Sequence, residues 1–280
     1  MSTPPANDIA LPELETLRSL VAGIAAEELM PRFARAERSF KADGSIVTEA
    51  DVAMQGRLTA ALSERWPAYR VLGEEMDPED QAGLFDQPGA GLWCLDPLDG
   101  TSNFAAGLPF FAVSLALVRD GTPVLGLVYD PVREECFTAR RGEGVWLDGA
   151  PLGRRVPQLD LSRCIAAVDF KRLPAALAAR PPGAPRVPPA AEPPYSSQRS
   201  FGSVALDWCW LAAGRYHVYL HGRQRLWDFA AGWLILDEAG GRSQTLAGEP
   251  VFHAGTSGRS ALAALSEPLF EQWRAWLARE

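Results

Sequence analysis

The sequence predicts an α+β protein, and three observations lead there. Apolar residues recur at helical spacing in the first 65 positions, a series of strand-like runs follows between residues 92 and 152, and helical and strand patterns alternate beyond residue 195.

In the first segment Leu14, Leu17, Val21, Ile24, Leu29 and Phe33 mark a helix within residues 12–38, which Pro31 is expected to break or kink. A second helix is expected over residues 50–65. Between them "KADGSIVTEAD" offers a turn at Asp43-Gly44, a short Ile46-Val47 strand and Thr48 as a helix cap, so Asp51 falls in the first helical turn. "YRVLGEE" reads as a strand running into two acids, and residues 77–91 as a loop rich in Asp, Gly and Pro. The runs "GLWCLD", "FFAVSLALVRDG", "TPVLGLVYDP", "ECFTARRG" and "GVWLDGAPL" suggest a largely antiparallel sheet, because "RDGTP" and "ARRGEG" are hairpin-type breaks. Residues 180–194, "RPPGAPRVPPAAEPP", are too rich in proline for a helix or a central strand and are expected to form an exposed loop. Beyond it, "SVALDWCWLAAG" and "DFAAGWLILDEAGG" read as helices with the strand "YHVYLHG" between them. Two closely packed parts are expected, residues 1–152 and 153–280.

At 280 residues the chain is long enough for a full core, and 47% hydrophobic with 22% charged residues is an ordinary globular balance. No run is apolar enough to cross a bilayer, and the N-terminus lacks a basic region followed by an apolar core, so a cytoplasmic protein is expected. Four scattered cysteines without a CxxC pair fit reduced core thiols. A net charge of −8 disfavours binding to nucleic acid or an anionic membrane. An acidic protein that handles an anion needs a cation to help.

The segment "LWCLDPLDGTSNF" ends an apolar run in two aspartates. Pro97 biases Asp96 toward extended backbone, and the turn that follows lets Asp96, Asp99 and the Leu98 carbonyl face one point. Such oxygen donors suit Mg²⁺. Gly100 and Thr101 then open a helix whose unpaired amides favour an anion such as phosphate. A turn with a helix cap explains the same residues equally well. Glu74 and Glu75 at a second strand end, and Asp228 at a helix start, are each ordinary alone; together they form a set that turn chemistry does not require. None of His217, His221 and His253 has metal-ligand spacing, and no Ser-His or Cys-His arrangement stands out.

These residues, in this order, resemble the inositol monophosphatase family of Mg²⁺-dependent, lithium-sensitive phosphatases. The resemblance runs through "KADGSIVTEAD", "GEE", "WCLDPLDGTSNF", "GEGVWLDGAPL", "RSFGSVALDWCWLAAG" and "WDFAAGWLILDEAGG". It implies a layered αβαβα sandwich, commonly homodimeric, acting on a small phosphorylated metabolite with two to three Mg²⁺ ions per subunit. Carried over by position, it makes Glu74, Asp96 and the Leu98 carbonyl ligands of one ion, and Asp96, Asp99 and Asp228 ligands of another. The Gly100 and Thr101 amides would hold phosphate, and Thr101 paired with Asp51 would help Glu74 activate water. Lys41, Asp99, Ser203, His221 and Asp228 complete the implied substrate contacts. Inositol-preferring members carry an acid near position 221, where this chain has histidine with Arg223 and Arg225 nearby. A bisphosphate nucleotide or histidinol phosphate is therefore an alternative to an inositol-like or sugar phosphate. A partner-binding regulator that keeps the fold is the alternative outside catalysis.

Overall fold

The computed structural model describes residues 10–41, 46–85, 90–153, 159–169, 172–173 and 194–278. Helix α1 (Leu14–Glu28) and helix α2 (Glu49–Arg65) pack side by side. Leu17, Val21, Ile24 and Ala25 form the buried stripe of α1, and Ala50, Met54, Leu58 and Leu62 that of α2, both at the spacing that puts residues on one helical face. Before α2 lies a small hairpin of β1 (Ser39–Phe40) and β2 (Ile46–Val47). The turn expected at Asp43-Gly44 lies outside the described residues, as does nearly all of the proline-rich segment.

Seven strands follow: β3 (Arg70–Gly73), β4 (Leu92–Asp99), β5 (Ala112–Arg119), β6 (Thr122–Asp130), β7 (Glu135–Arg140), β8 (Gly144–Leu147) and β9 (Ala150–Pro151). They lie in one sheet in chain order, antiparallel throughout except that β3 joins β4 in parallel. The loop expected at 77–91 contains a short helix α3 (Pro78–Gly83), which the parallel connection passes through. Pro78 occupies the first helical turn, where its missing N–H is not needed, and no apolar periodicity announces it. Strand β4 does not stop at Asp96 as expected but runs on to Asp99. Asp96 pairs with Ser114 and Asp99 with Ala112, so two residues of β4, Pro97 and Leu98, lie against one of β5, Val113, and Pro97 sits in a bulge where no ladder donor is required.

A six-residue helix α4 (Thr101–Ala106) follows β4. Later elements are β10 (Ile165–Asp169), β11 (Ser197–Arg199), α5 (Val204–Ala212), β12 (Val218–Gln224), α6 (Leu226–Glu238), β13 (Arg242–Gln244), β14 (Arg259–Ala264) and α7 (Glu267–Leu277). The second sheet has the order β11-β10-β12-β14-β13, with β10 parallel to both its neighbours.

Three apolar clusters stack these elements. The α1–α2 stripes cover one face of the large sheet through Trp93, Leu95, Leu115 and Leu117. Helices α5 and α6 fill the space between the sheets, touching Cys94, Ala116 and Phe137 on one side and Ala167, Tyr219 and Ala263 on the other. Helix α7 closes the far face of the small sheet with Leu269, Phe270 and Trp273. The layers thus run α, β, α, β, α. Sheets covered on both faces account for strands such as β4 that are buried along their whole length, and for α6 being apolar nearly all round. All four cysteines are buried and unpaired. No described helix is long and apolar enough to cross a membrane.

Candidate active site

The bulge in β4 aims the Asp96 side chain toward the end of β3 and the start of α6. Glu74, Asp96 and Asp228 each present a carboxylate oxygen there, and these three atoms all lie within 4.8 Å of one another. Asp96 is 1% exposed and accepts one hydrogen bond, from the Leu98 amide at 3.0 Å. Asp228 accepts from the Arg225 amide at 2.7 Å, so the same carboxylate caps the first turn of α6. Glu74 follows β3, its backbone carbonyl held by Gln81 Nε2 at 3.1 Å.

Burial drives the carboxyl pKa values of Asp96 and Asp228 well above the ordinary range, and Glu74 and Asp99 add like-charge repulsion to both. Three hard oxygen donors held this close, two of them on buried aspartates, suit a divalent cation of the Mg²⁺ type. The ammonium of Lys41 lies 2.9 Å from Glu74 Oε1 and 2.6 Å from Glu75 Oε1. Its own burial disfavours that charge, yet the two carboxylates outweigh this and raise its pKa.

Asp99, expected to share an ion with Asp96 and Asp228, stands apart from that group. Its Oδ2 receives the Ser203 hydroxyl at 2.5 Å and the Ala205 amide at 2.7 Å, which ties β4 to the first turn of α5. Burial raises Asp99 to about 6, and those hydrogen bonds oppose the rise. Ser203, implied as a substrate contact, is fully buried and occupied by this bond.

Thr48 caps α2, and Asp51 returns a carboxylate to it, accepting from Thr48 N at 2.8 Å and Thr48 Oγ1 at 2.6 Å. The other oxygen of Asp51 accepts from Thr101 Oγ1 at 3.0 Å. Thr101 Oγ1 is also 3.0 Å from the Leu98 carbonyl implied as a ligand. Gly100, at φ 96°, sits in left-handed backbone, where a Cβ would come within 3.1 Å of Phe110 O and 3.2 Å of Phe111 Cβ. Only glycine turns β4 into α4 there.

His221 differs from its expected role at the substrate. It is 2% exposed and both ring nitrogens are used: Nε2 is 3.2 Å from Asp169 Oδ2 and Nδ1 accepts from the Arg223 amide at 3.2 Å. Arg225 donates to Thr256 O at 3.0 Å, and the Arg223 side chain packs against Gly258, so each has a neighbour in the loop before β14. Asp169 is a residue that the sequence reading missed, although an acid ending the apolar run "IAAVD" repeats the pattern of Asp96.

A model of the inositol monophosphatase family matches residues 12–276. The chain is 34% identical over 212 residues to inositol monophosphatase 1 of Solanum lycopersicum, covering 72% of each chain. It is 34% identical over 213 residues to the Nus factor SuhB of Pasteurella multocida, covering 73% of each. Its fold superposes on the Thermotoga maritima IMPase with a TM-score of 0.77 at 26% identity, over 94% of this chain and 97% of that one. With the layered fold and the buried carboxylate cluster already in place, the chain belongs to the inositol monophosphatase family.

Proposed function

We propose that this protein is a Mg²⁺-dependent phosphatase of a small polyol or sugar phosphate monoester, working as a homodimer. The observation that carries it is the Glu74, Asp96 and Asp228 group, half-buried at Glu74 and buried at Asp96, bordered by the Thr101–Asp51 hydrogen bond. Glu74, Asp96 and Asp228 would hold the cation. When bound, Mg²⁺ supplies the positive charge that offsets a phosphate's own negative charge and makes water a better nucleophile.

The chain's own residues do the rest. Asp51 accepts the Thr101 proton and so turns the lone pairs of Thr101 Oγ1 outward, toward a water that Glu74 also reaches. Thr101 and Glu74 orient that water for in-line attack on phosphorus, and Glu74 takes up its proton. The Gly100 and Thr101 amides at the start of α4 hold the phosphate oxygens. Lys41 balances the acids around Glu74.

Phosphate release from inositol 1-phosphate, fructose 1,6-bisphosphate, histidinol phosphate, 3′-phosphoadenosine 5′-phosphate and p-nitrophenyl phosphate, with Mg²⁺ and with or without Li⁺, tests this. Turnover that disappears in Asp96→Asn supports it, and the preferred substrate separates a polyol phosphatase from a bisphosphate nucleotidase or a histidinol-phosphate phosphatase. No turnover of any of them would sink it. The similarity to a protein named Nus factor favours a second reading, action through a macromolecular partner. In that case Asp96→Asn would leave cellular phenotypes intact where a deletion does not.

A further inference from the structure

Asp96 stands within β4 and Asp228 within α6, whereas Glu74 joins them from a turn. Three separate elements fix that turn. The Glu74 amide donates to Leu95 O of β4 at 3.1 Å and so extends the parallel pairing of β3 and β4 by one residue. Beyond that bond the chain leaves the sheet, and side chains take over from the ladder. Gln81 Nε2 donates to Gly73 O at 3.0 Å and to Glu74 O at 3.1 Å, and Gln55 Oε1 accepts from the Glu75 amide at 2.8 Å. A Cβ on Gly73 would overlap the Gln55 amide, so glycine there is what lets that side chain come close.

The two glutamines come from helices with anchors of their own. Gln55 lies four positions after Asp51, on the same side of α2, so one face of that helix serves both Thr101 and the turn at Glu74. Gln81 is the only buried residue of α3. Leu84, three positions on, and Phe85 pack against the core between the sheets and hold α3 in place. Both partners of Gln81 are acceptors, so only its NH₂ end fits, and its two N–H groups serve two successive carbonyls without adding charge beside the acids. Lys41 draws on the Glu74 carboxylate from the other side at 2.9 Å, so the direction of Glu74 toward Asp96 and Asp228 rests on the backbone that carries it.

We propose that Gln81, together with Gln55, is a positioning residue that sets the affinity of the Glu74, Asp96 and Asp228 group for its divalent cation. This rests on the Mg²⁺ reading above. A cation binds most tightly where its donors already stand in place, because no ordering of the chain then opposes binding. Groups that orient the ligands of a metal are worth about 10- to 100-fold in its affinity.

Mg²⁺ binding to EDTA-treated protein, read by calorimetry and as the midpoint of the Mg²⁺-dependent rise in Tm, tests this in wild type, Gln81→Met, Gln55→Met and Leu269→Ala. Methionine keeps roughly the length of each glutamine and removes its hydrogen bonds. Each glutamine variant is expected to weaken Mg²⁺ binding about 10- to 100-fold. Leu269→Ala, in the core beneath α7, should lose stability while its Mg²⁺ affinity stays within about twofold of wild type. Should Gln81→Met fail to fold, Gln55→Met, at a half-buried position, carries the same test. Unchanged Mg²⁺ affinity in the glutamine variants, or an equal loss in Leu269→Ala, would overturn the proposal. A wild type that binds no Mg²⁺ overturns the cation reading and the proposal with it. A wild type that binds Mg²⁺ yet releases no phosphate from inositol 1-phosphate or p-nitrophenyl phosphate counts against the phosphatase reading alone, and the measured affinities still decide the role of the glutamines.

Discussion

Thr101 Oγ1 donates to Asp51 Oδ1 across 3.0 Å and joins the first residue of α4 to the first turn of α2, 50 positions earlier in the chain. Burial raises the Asp51 pKa, and the bonds from Thr48 and Thr101 oppose that rise. The pair has a structural side and, in the function proposed above, a catalytic one, which substitutions separate. Thr101→Val keeps the volume and removes the hydroxyl; kcat is expected to fall about 10²- to 10³-fold with little change in melting temperature. Asp51→Asn should lower kcat and also weaken the α2 cap, costing about 1 kcal/mol in a denaturant melt.

The cluster of Glu74, Asp96 and Asp228 is predicted to make stability depend on a divalent cation. Adding Mg²⁺ at about a hundred times its Kd is expected to stabilise the folded state by about 2.7 kcal/mol, read as a rise in Tm after EDTA treatment. Asp96→Asn keeps the bond from the Leu98 amide but removes one of three crowded charges. It should melt higher than wild type in EDTA and gain little from Mg²⁺. A Tm of wild type that ignores Mg²⁺ would contradict the assignment of these residues.

In EDTA the same burial gives a pH dependence of known sign. Asp99 is raised from 3.8 to about 6 by burial, so between those values the folded protein keeps a proton that the unfolded chain has released. This stability is fully present below the unfolded pKa and is lost as pH rises through about 6, up to roughly 3 kcal/mol for such a shift. Asp96 and Asp228 act in the same direction, while His217, lowered by burial, acts against them below its ordinary 6.5. The difference in Tm between wild type and Asp99→Asn, followed from about pH 4 to 6.5, isolates the contribution of Asp99. Asn retains acceptors for Ser203 and Ala205, and the expected result is a wild type that loses ground steadily with rising pH.

Two helical glycines should respond oppositely to alanine. At Gly232 in α6 a Cβ would lie 2.5 Å from Trp208 Cβ, because α5 and α6 cross there at close range. Gly232→Ala is expected to destabilise by about 1–3 kcal/mol in urea unfolding. Gly56 in α2 has nothing within 4 Å of the same position. Gly56→Ala should stabilise by about 0.4–1 kcal/mol.

Much of the fold is legible in the sequence because burial is periodic: the stripes of α1 and α2 and the apolar runs of β4 to β7 announce themselves. Helix α3 does not, since its only buried residue is Gln81, whose work is to hold the Gly73 and Glu74 carbonyls. Glu74, Asp96 and Asp228 could be singled out because each closes an apolar run or opens a helical one in the sequence pattern. The turning of Asp99 toward α5, and the pairing of His221 with Asp169, could not. Both depend on which strand and helix become neighbours, and only tertiary contacts decide that.

Asp51, Asp99 and Asp228 each accept a backbone amide at or before the first turn of a helix, those of Thr48, Ala205 and Arg225. They are architectural residues whatever chemistry they also perform. A descendant that abandoned hydrolysis would still be held to these three acids by the demands of folding. Glu74, whose carboxylate meets Lys41 rather than a helix end, carries no such second duty. Across related chains it is therefore the position at which abandoned catalysis should first be written into the sequence.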